Sequence, residues 1–130
     1  MNHPKNPTTP EEMHRLGSAH FNGQDVPKDY AKAAEWYQKA AEQGLANSQY
    51  MLGILYEKGS GVPQDYAQAS VWHKKAAEQG YKLSQFMLGS FYEKGLGVPQ
   101  DQAQAILWYR KAAAQGDYGA EVRLNELCGK

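Results

Sequence analysis

Four histidines, one cysteine, six serines and two glycine-rich loops are the groups in this 130-residue chain that could do chemistry. His3, His14, His20 and His73 are scattered, and no pair on an expected helix has the i, i+4 spacing with a carboxylate that zinc hydrolases use. Cys128 is a potential thiol nucleophile, but no histidine stands near it in sequence to act as its base. The loops Gly59-Ser60-Gly61 and Gly95-Leu96-Gly97 offer backbone N–H groups of the kind that cradle phosphate. Their context does not suit phosphate binding, because they follow helical patterns rather than strands, Gln64 and Gln100 hold the third glycine position, and no Gly-Lys-Ser/Thr run exists. They read as helix-to-helix turns. The expectation is a chain with no catalytic residue, no metal and no cofactor.

Composition agrees with a binding role. Fourteen Lys plus Arg balance fourteen Asp plus Glu, so no positive field gathers nucleic acid or anionic lipid. A lone cysteine forms no internal disulfide, and no apolar run approaches the roughly 20 residues of a membrane helix. Met1-Asn2-His3-Pro4-Lys5-Asn6-Pro7 lacks the apolar centre of a signal peptide, which points to a cytoplasmic chain, or a periplasmic one if an export signal has been removed.

The elements that position these groups are set by a repeat. Leu16-Gly17 recurs as Leu52-Gly53 and Leu88-Gly89, and Trp36 recurs as Trp72 and Trp108, always 36 residues on. Residues 45–80 and 81–116 align without a gap at roughly two thirds identity. The chain divides into a polar leader (1–8), three repeats (9–44, 45–80, 81–116) and a C-terminal capping helix (117–130).

Each repeat reads helix, loop, helix. Met51, Leu52, Leu55 and Tyr56 have helical spacing, and Gly59-Ser60-Gly61-Val62-Pro63 then ends that helix near residue 58. Asp65 with Gln68, and Asp101 with Gln104, predict capped starts in which the amide reaches back to the cap. Asp29 has Lys32 at the third position, so a weaker start is expected there. Gly44, Gly80 and Gly116 stop the second helices. Thr9-Pro10-Glu11-Glu12 starts the first helix from about residue 10, and Asp117 caps a last helix whose Arg123, Asn125 and Glu126 close the stack against water. Glycine inside a helix costs about 1 kcal/mol against alanine, so its retention at 17, 53 and 89 signals close helix contact, with Ala33, Ala69 and Ala105 providing a small-residue face.

The run Leu52-Gly53-Ile54-Leu55-Tyr56, the loop Gly59 to Ala67, Trp72 and Lys75-Ala76-Ala77-Glu78-Gln79-Gly80 resemble a Sel1-like repeat, a relative of the tetratricopeptide repeat. The resemblance implies an all-α fold, an α-solenoid of three antiparallel helix-pair repeats, used as a protein-interaction scaffold and frequently bacterial. Two departures stand out: Gln24-Asp25 replaces the second loop glycine in the first copy, and His73 replaces the tyrosine after tryptophan in the second. One branch of this family is cysteine-rich and reported to handle penicillin; here no serine is followed by lysine at the third position and the paired cysteines are absent. An immunity or inhibitor protein against a secreted effector is the other alternative the resemblance allows.

By analogy with tetratricopeptide repeats, the first helices line a concave side. The groove stripe of the second copy is then Asn47, Tyr50, Ile54, Glu57 and Lys58. Its equivalents are Glu11, His14, Ser18, Phe21 and Asn22 in the first copy, and Leu83, Phe86, Ser90, Glu93 and Lys94 in the third. The aromatic and apolar members would supply contact area and the Glu/Lys pairs the register of a bound protein or peptide. The same aromatics could instead pack between repeats. Val71, Ile106 and Leu107 on the second helices offer a further surface, suited to a homodimer.

Overall fold

The computed structural model describes residues 7–129; His3 and residues 1–6 of the polar leader lie outside the described residues. Seven helices and no strand are found among the described residues: α1 (Pro10–Asn22), α2 (Tyr30–Glu42), α3 (Ala46–Lys58), α4 (Tyr66–Glu78), α5 (Lys82–Lys94), α6 (Gln102–Ala114) and α7 (Tyr118–Cys128). None is long and apolar enough to cross a membrane. α1 packs on α2, α3 on α4 and α5 on α6, and each pair stacks on the next, so the molecule is a short helical solenoid.

Caps decide where the helices begin. Thr9 forms a complete capping box with Glu12. Asp29, Asp65 and Asp101 each accept from the backbone N–H of the third residue on, at the same 3.1 Å. The expected return bonds from Gln68 and Gln104 are not made, and α2, α4 and α6 are equally long at 13 residues. The weaker start expected at Asp29 is therefore corrected: the aspartate alone satisfies the orphan donor, and the third side chain is indifferent. At the other end, Gly44 N–H donates to Ala41 O at 2.9 Å and Leu45 N–H to Ala40 O at 3.3 Å, the Schellman pattern, repeated at Gly80 and Gly116.

Within a repeat, the helix glycine is the seat for one ring of the partner helix. A Cβ on Gly17 would lie 2.9 Å from Tyr37 Cδ1, on Gly53 2.7 Å from His73 Cε1, and on Gly89 2.8 Å from Tyr109 Cδ1. Those three rings are fully or almost fully buried. Between repeats, Trp72 packs on Ala41 and Leu52, and Trp108 on Ala77 and Leu88. Trp36 is only half-buried, having no earlier repeat to pack against among the described residues. Each tryptophan carries the ammonium of the lysine three residues on over its ring, at 4.8 Å in the first copy.

A polar ladder ties the stack as well. Gln79 Nε2 donates to Gly44 O at 2.8 Å and Gln49 Oε1 at 2.9 Å, while the buried Gln49 donates to Ala41 O. Gln115, Gly80, Gln85 and Ala77 repeat the arrangement one period on. The buried amides of Gln49 and Gln85 thus each donate and accept one hydrogen bond in fixing one repeat against the next.

Candidate functional site

The stripe traced on the first helices separates into a rim and a floor. Glu11, Asn22, Lys58, Leu83 and Lys94 are exposed. His14, Ser18, Phe21, Asn47, Tyr50, Ile54 and Glu57 are half-buried, as are Phe86, Ser90 and Glu93. The floor residues lean on the second helix of their own repeat and on the next repeat. His14 has its ring 5.1 Å from Tyr37 and its Nδ1 2.7 Å from Ser48 Oγ on α3. Tyr50 lies 5.7 Å from His73 and 5.3 Å from Tyr81. Phe86 lies 5.5 Å from Tyr109 and faces Gly119 of α7, where a Cβ would meet its Cε1 at 3.3 Å. Phe21 turns toward Tyr30 at 5.2 Å and the cluster of Ala33, Ala34, Tyr37 and Leu55. The groove aromatics are therefore partly packing residues. Burial lowers the His14 pKa and, together with Tyr81 and Glu57, raises that of Tyr50.

The third repeat opens a concavity of about 460 Å³, lined by Phe86, Ser90, Glu93 and Lys94 of α5, Tyr109 of α6 and Arg123 of α7. Its polar centre is Glu93. Tyr109 Oη donates to Glu93 Oε1 at 2.8 Å, and Arg123 Nε donates to the same oxygen at 3.2 Å. Arg123 also bonds Glu93 Oε2 through Nη2 and Glu126 through Nη1. The guanidinium thus grips both carboxylate oxygens in a fork. Burial pushes the Glu93 carboxyl up, but hydrogen bonds from Arg123 and Tyr109 and the guanidinium charge outweigh it and hold the group below the usual carboxylate value. Burial, then the bond to Glu93 and its charge, push the Tyr109 phenol up to about 12.

The sequence placed Arg123 at the closing of the stack, and neither it nor Tyr109 was expected as a member of this cluster. The register carries a weak signal: Arg123 follows Met87 and Met51 at one and two periods, but Arg15 stands at the same position in the first copy, so the charge alone does not single Arg123 out.

A depressed carboxyl contributes stability above its unfolded value, near 4.5, and loses it as pH falls through the folded value. The difference in melting temperature between the wild type and Arg123→Met is accordingly expected to be largest near neutrality and to shrink below about pH 4.5. A gap that is constant from pH 7 to pH 3 would show that Arg123 acts through packing alone.

On the outer helices, Val71 and Leu107 are exposed and Ile106 is half-buried. Cys128 is exposed, and among the described residues no three His, Cys, Asp or Glu side chains converge as a metal set.

The family model of the Sel1 repeat matches residues 13–45, 46–81 and 82–117. No curated protein matches the chain. Among solved structures, the chain is similar to a protective antigen of uropathogenic Escherichia coli displaying an SLR fold, at 41% identity and a TM-score of 0.90 over 91% of this chain and 25% of that one. A Sel1 repeat protein from Oxalobacter formigenes shares 36% identity at a TM-score of 0.87, over 89% of this chain and 48% of that one. The chain thus spans about a quarter and about half of the lengths of these two. Cysteine-rich protein B of Helicobacter pylori, at 23% identity and a TM-score of 0.68 over 87% of this chain and 95% of that one, shares the fold.

Proposed function

Because the chain belongs to the Sel1 repeat family, whose members typically serve as protein-interaction scaffolds, we propose that it is a non-enzymatic adaptor holding a segment of another protein on the face formed by α1, α3 and α5. One observation carries this reading. The concavity of about 460 Å³ has an aromatic floor in Phe86, a hydroxyl in Ser90 and an exposed cation in Lys94. That combination suits an extended peptide, with apolar contact beneath and polar registration along the edge. The helices beneath are fixed by ring-on-glycine contacts and the glutamine ladder, so binding orders little of the scaffold.

Photo-crosslinking tests it. A benzophenone amino acid placed at Ser90 in the native host captures a partner polypeptide, whereas the same group at Leu107 on α6 does not. Capture of that partner from Leu107 and not from Ser90 would overturn the assignment. A second copy of this chain recovered from Leu107 would instead mark the outer helices as a dimer surface.

A further inference from the structure

The three repeats present one site in three chemical versions. Residues 37, 73 and 109 occupy the same place on the second helix, each ring seated against the glycine of the first helix, while the polar group nearest the ring comes from different register positions, Ser18 in the first repeat and Glu57 or Glu93, in register with Phe21, in the other two. In the first repeat, Tyr37 Oη and Ser18 Oγ satisfy each other at 2.9 Å. In the third, Glu93 receives Tyr109 Oη and the fork of Arg123.

The second repeat has the carboxylate of the third without either donor. His73 is shorter than tyrosine and brings no hydroxyl; its Nε2 stops 3.9 Å from Glu57 Oε1, too far for a hydrogen bond. His73 is fully buried, yet Nδ1, Nε2 and Glu57 Oε1 all have no hydrogen-bond partner. The residue one period before Arg123 is Met87, which has no N–H group to offer. The Glu57 side chain remains 25% exposed, and Oε1 is its buried oxygen beside His73, so a group approaching from the concave side meets the carboxylate at Oε2 first.

We propose that Glu57 is the seat for an arginine side chain of the bound protein segment, taking the place that Arg123 of the chain itself takes at Glu93. Charge complementarity selects a cation, and the internal precedent at Glu93 selects a guanidinium, whose planar fork meets both oxygens once the Glu57 carboxylate turns its buried Oε1 from His73 toward the groove. An ammonium meets the same charge as a point donor without that fork. The proposal rests on the concave face being the binding face, and it adds the chemistry of what binds there.

The test titrates isotope-labelled protein with N-acetyl-arginine amide and, separately, N-acetyl-lysine amide, following backbone amide shifts. The arginine probe saturates shifts at Gly53, Glu57 and His73, and the lysine probe binds about tenfold more weakly or worse. Glu57→Gln abolishes the response. Met87→Arg, which supplies a guanidinium from within the chain, also abolishes it and raises the melting temperature. Arg123→Met opens a second arginine site with shifts at Glu93. No response at Glu57 in the wild type, an unchanged response in Glu57→Gln, or equal binding of the two probes overturns the proposal. If Ser90 still crosslinks to a partner while the arginine probe fails, the arginine seat is wrong and the concave-face reading stands. If the probe binds but the partner crosslinks only from Leu107, the concave-face reading fails and the bound segment fails with it.

Discussion

Gly97→Ala is expected to destabilise the chain by about 3 kcal/mol or more, by wedging the third repeat off the second. A Cβ there would lie 2.2 Å from Tyr66 O and 2.4 Å from Tyr66 C, backbone atoms at the start of α4 that cannot swing aside. The residue also has φ +69°, which costs an L side chain roughly 1–2 kcal/mol before any collision is counted. Overlap in packed surroundings adds about 1–3 kcal/mol. The melting temperature falls by about 10 °C or more. The first repeat supplies the control. Asp25 stands at the same loop position with φ 65°, and no earlier helix lies against it among the described residues. A Gly97→Ala protein that melts within about 2 °C of wild type would refute the contact.

Gly89→Ala has the second large effect, and here two opposing terms must be weighed. Alanine gains about 1 kcal/mol of helix propensity over glycine. Against it, the new Cβ would stand 2.8, 2.9 and 3.1 Å from Cδ1, Cε1 and Cγ of Tyr109, whose ring is 1% exposed and held by Ala105 and Ala112. The ring has no room to retreat, so the collision wins and the net loss is about 2 kcal/mol or more. Displacing the ring also draws Tyr109 Oη off Glu93. A double-mutant cycle with Tyr109→Ala reads the contact itself: the two losses together should fall short of additive by about 1–3 kcal/mol. Additive losses would show that the glycine is kept for some reason other than the ring.

Much of the fold was legible in the chain because the repeat compares itself. Positions held at Gly17, Gly53 and Gly89 announced a close helix contact, and the Asp29, Asp65 and Asp101 caps placed the second helices. Two things were not legible. Helical spacing gives the face a residue leaves from but not the reach of its side chain, so Phe21, Tyr50 and Phe86 were placed on the groove although each also packs inward. Contacts between repeats depend on what the neighbour carries at a separation of 30 residues, and the Glu93–Arg123 fork is invisible to any local window. Asp25, which replaces a loop glycine in the first copy, keeps the left-handed backbone of Gly61 and Gly97, and those glycines also meet the backbone of a neighbouring helix, a second demand that the sequence of one loop does not show.

The glutamine ladder also gives the molecule a direction. The carbonyls of Gly44 and Gly80 are each latched by an amide supplied 35 residues later, from Gln79 and Gln115. During synthesis, this amide latch between the first and second hairpins cannot close until Gln79 has been made, nor the next until Gln115 has. The polypeptide therefore tightens behind itself as it grows, each newly made hairpin completing the one before.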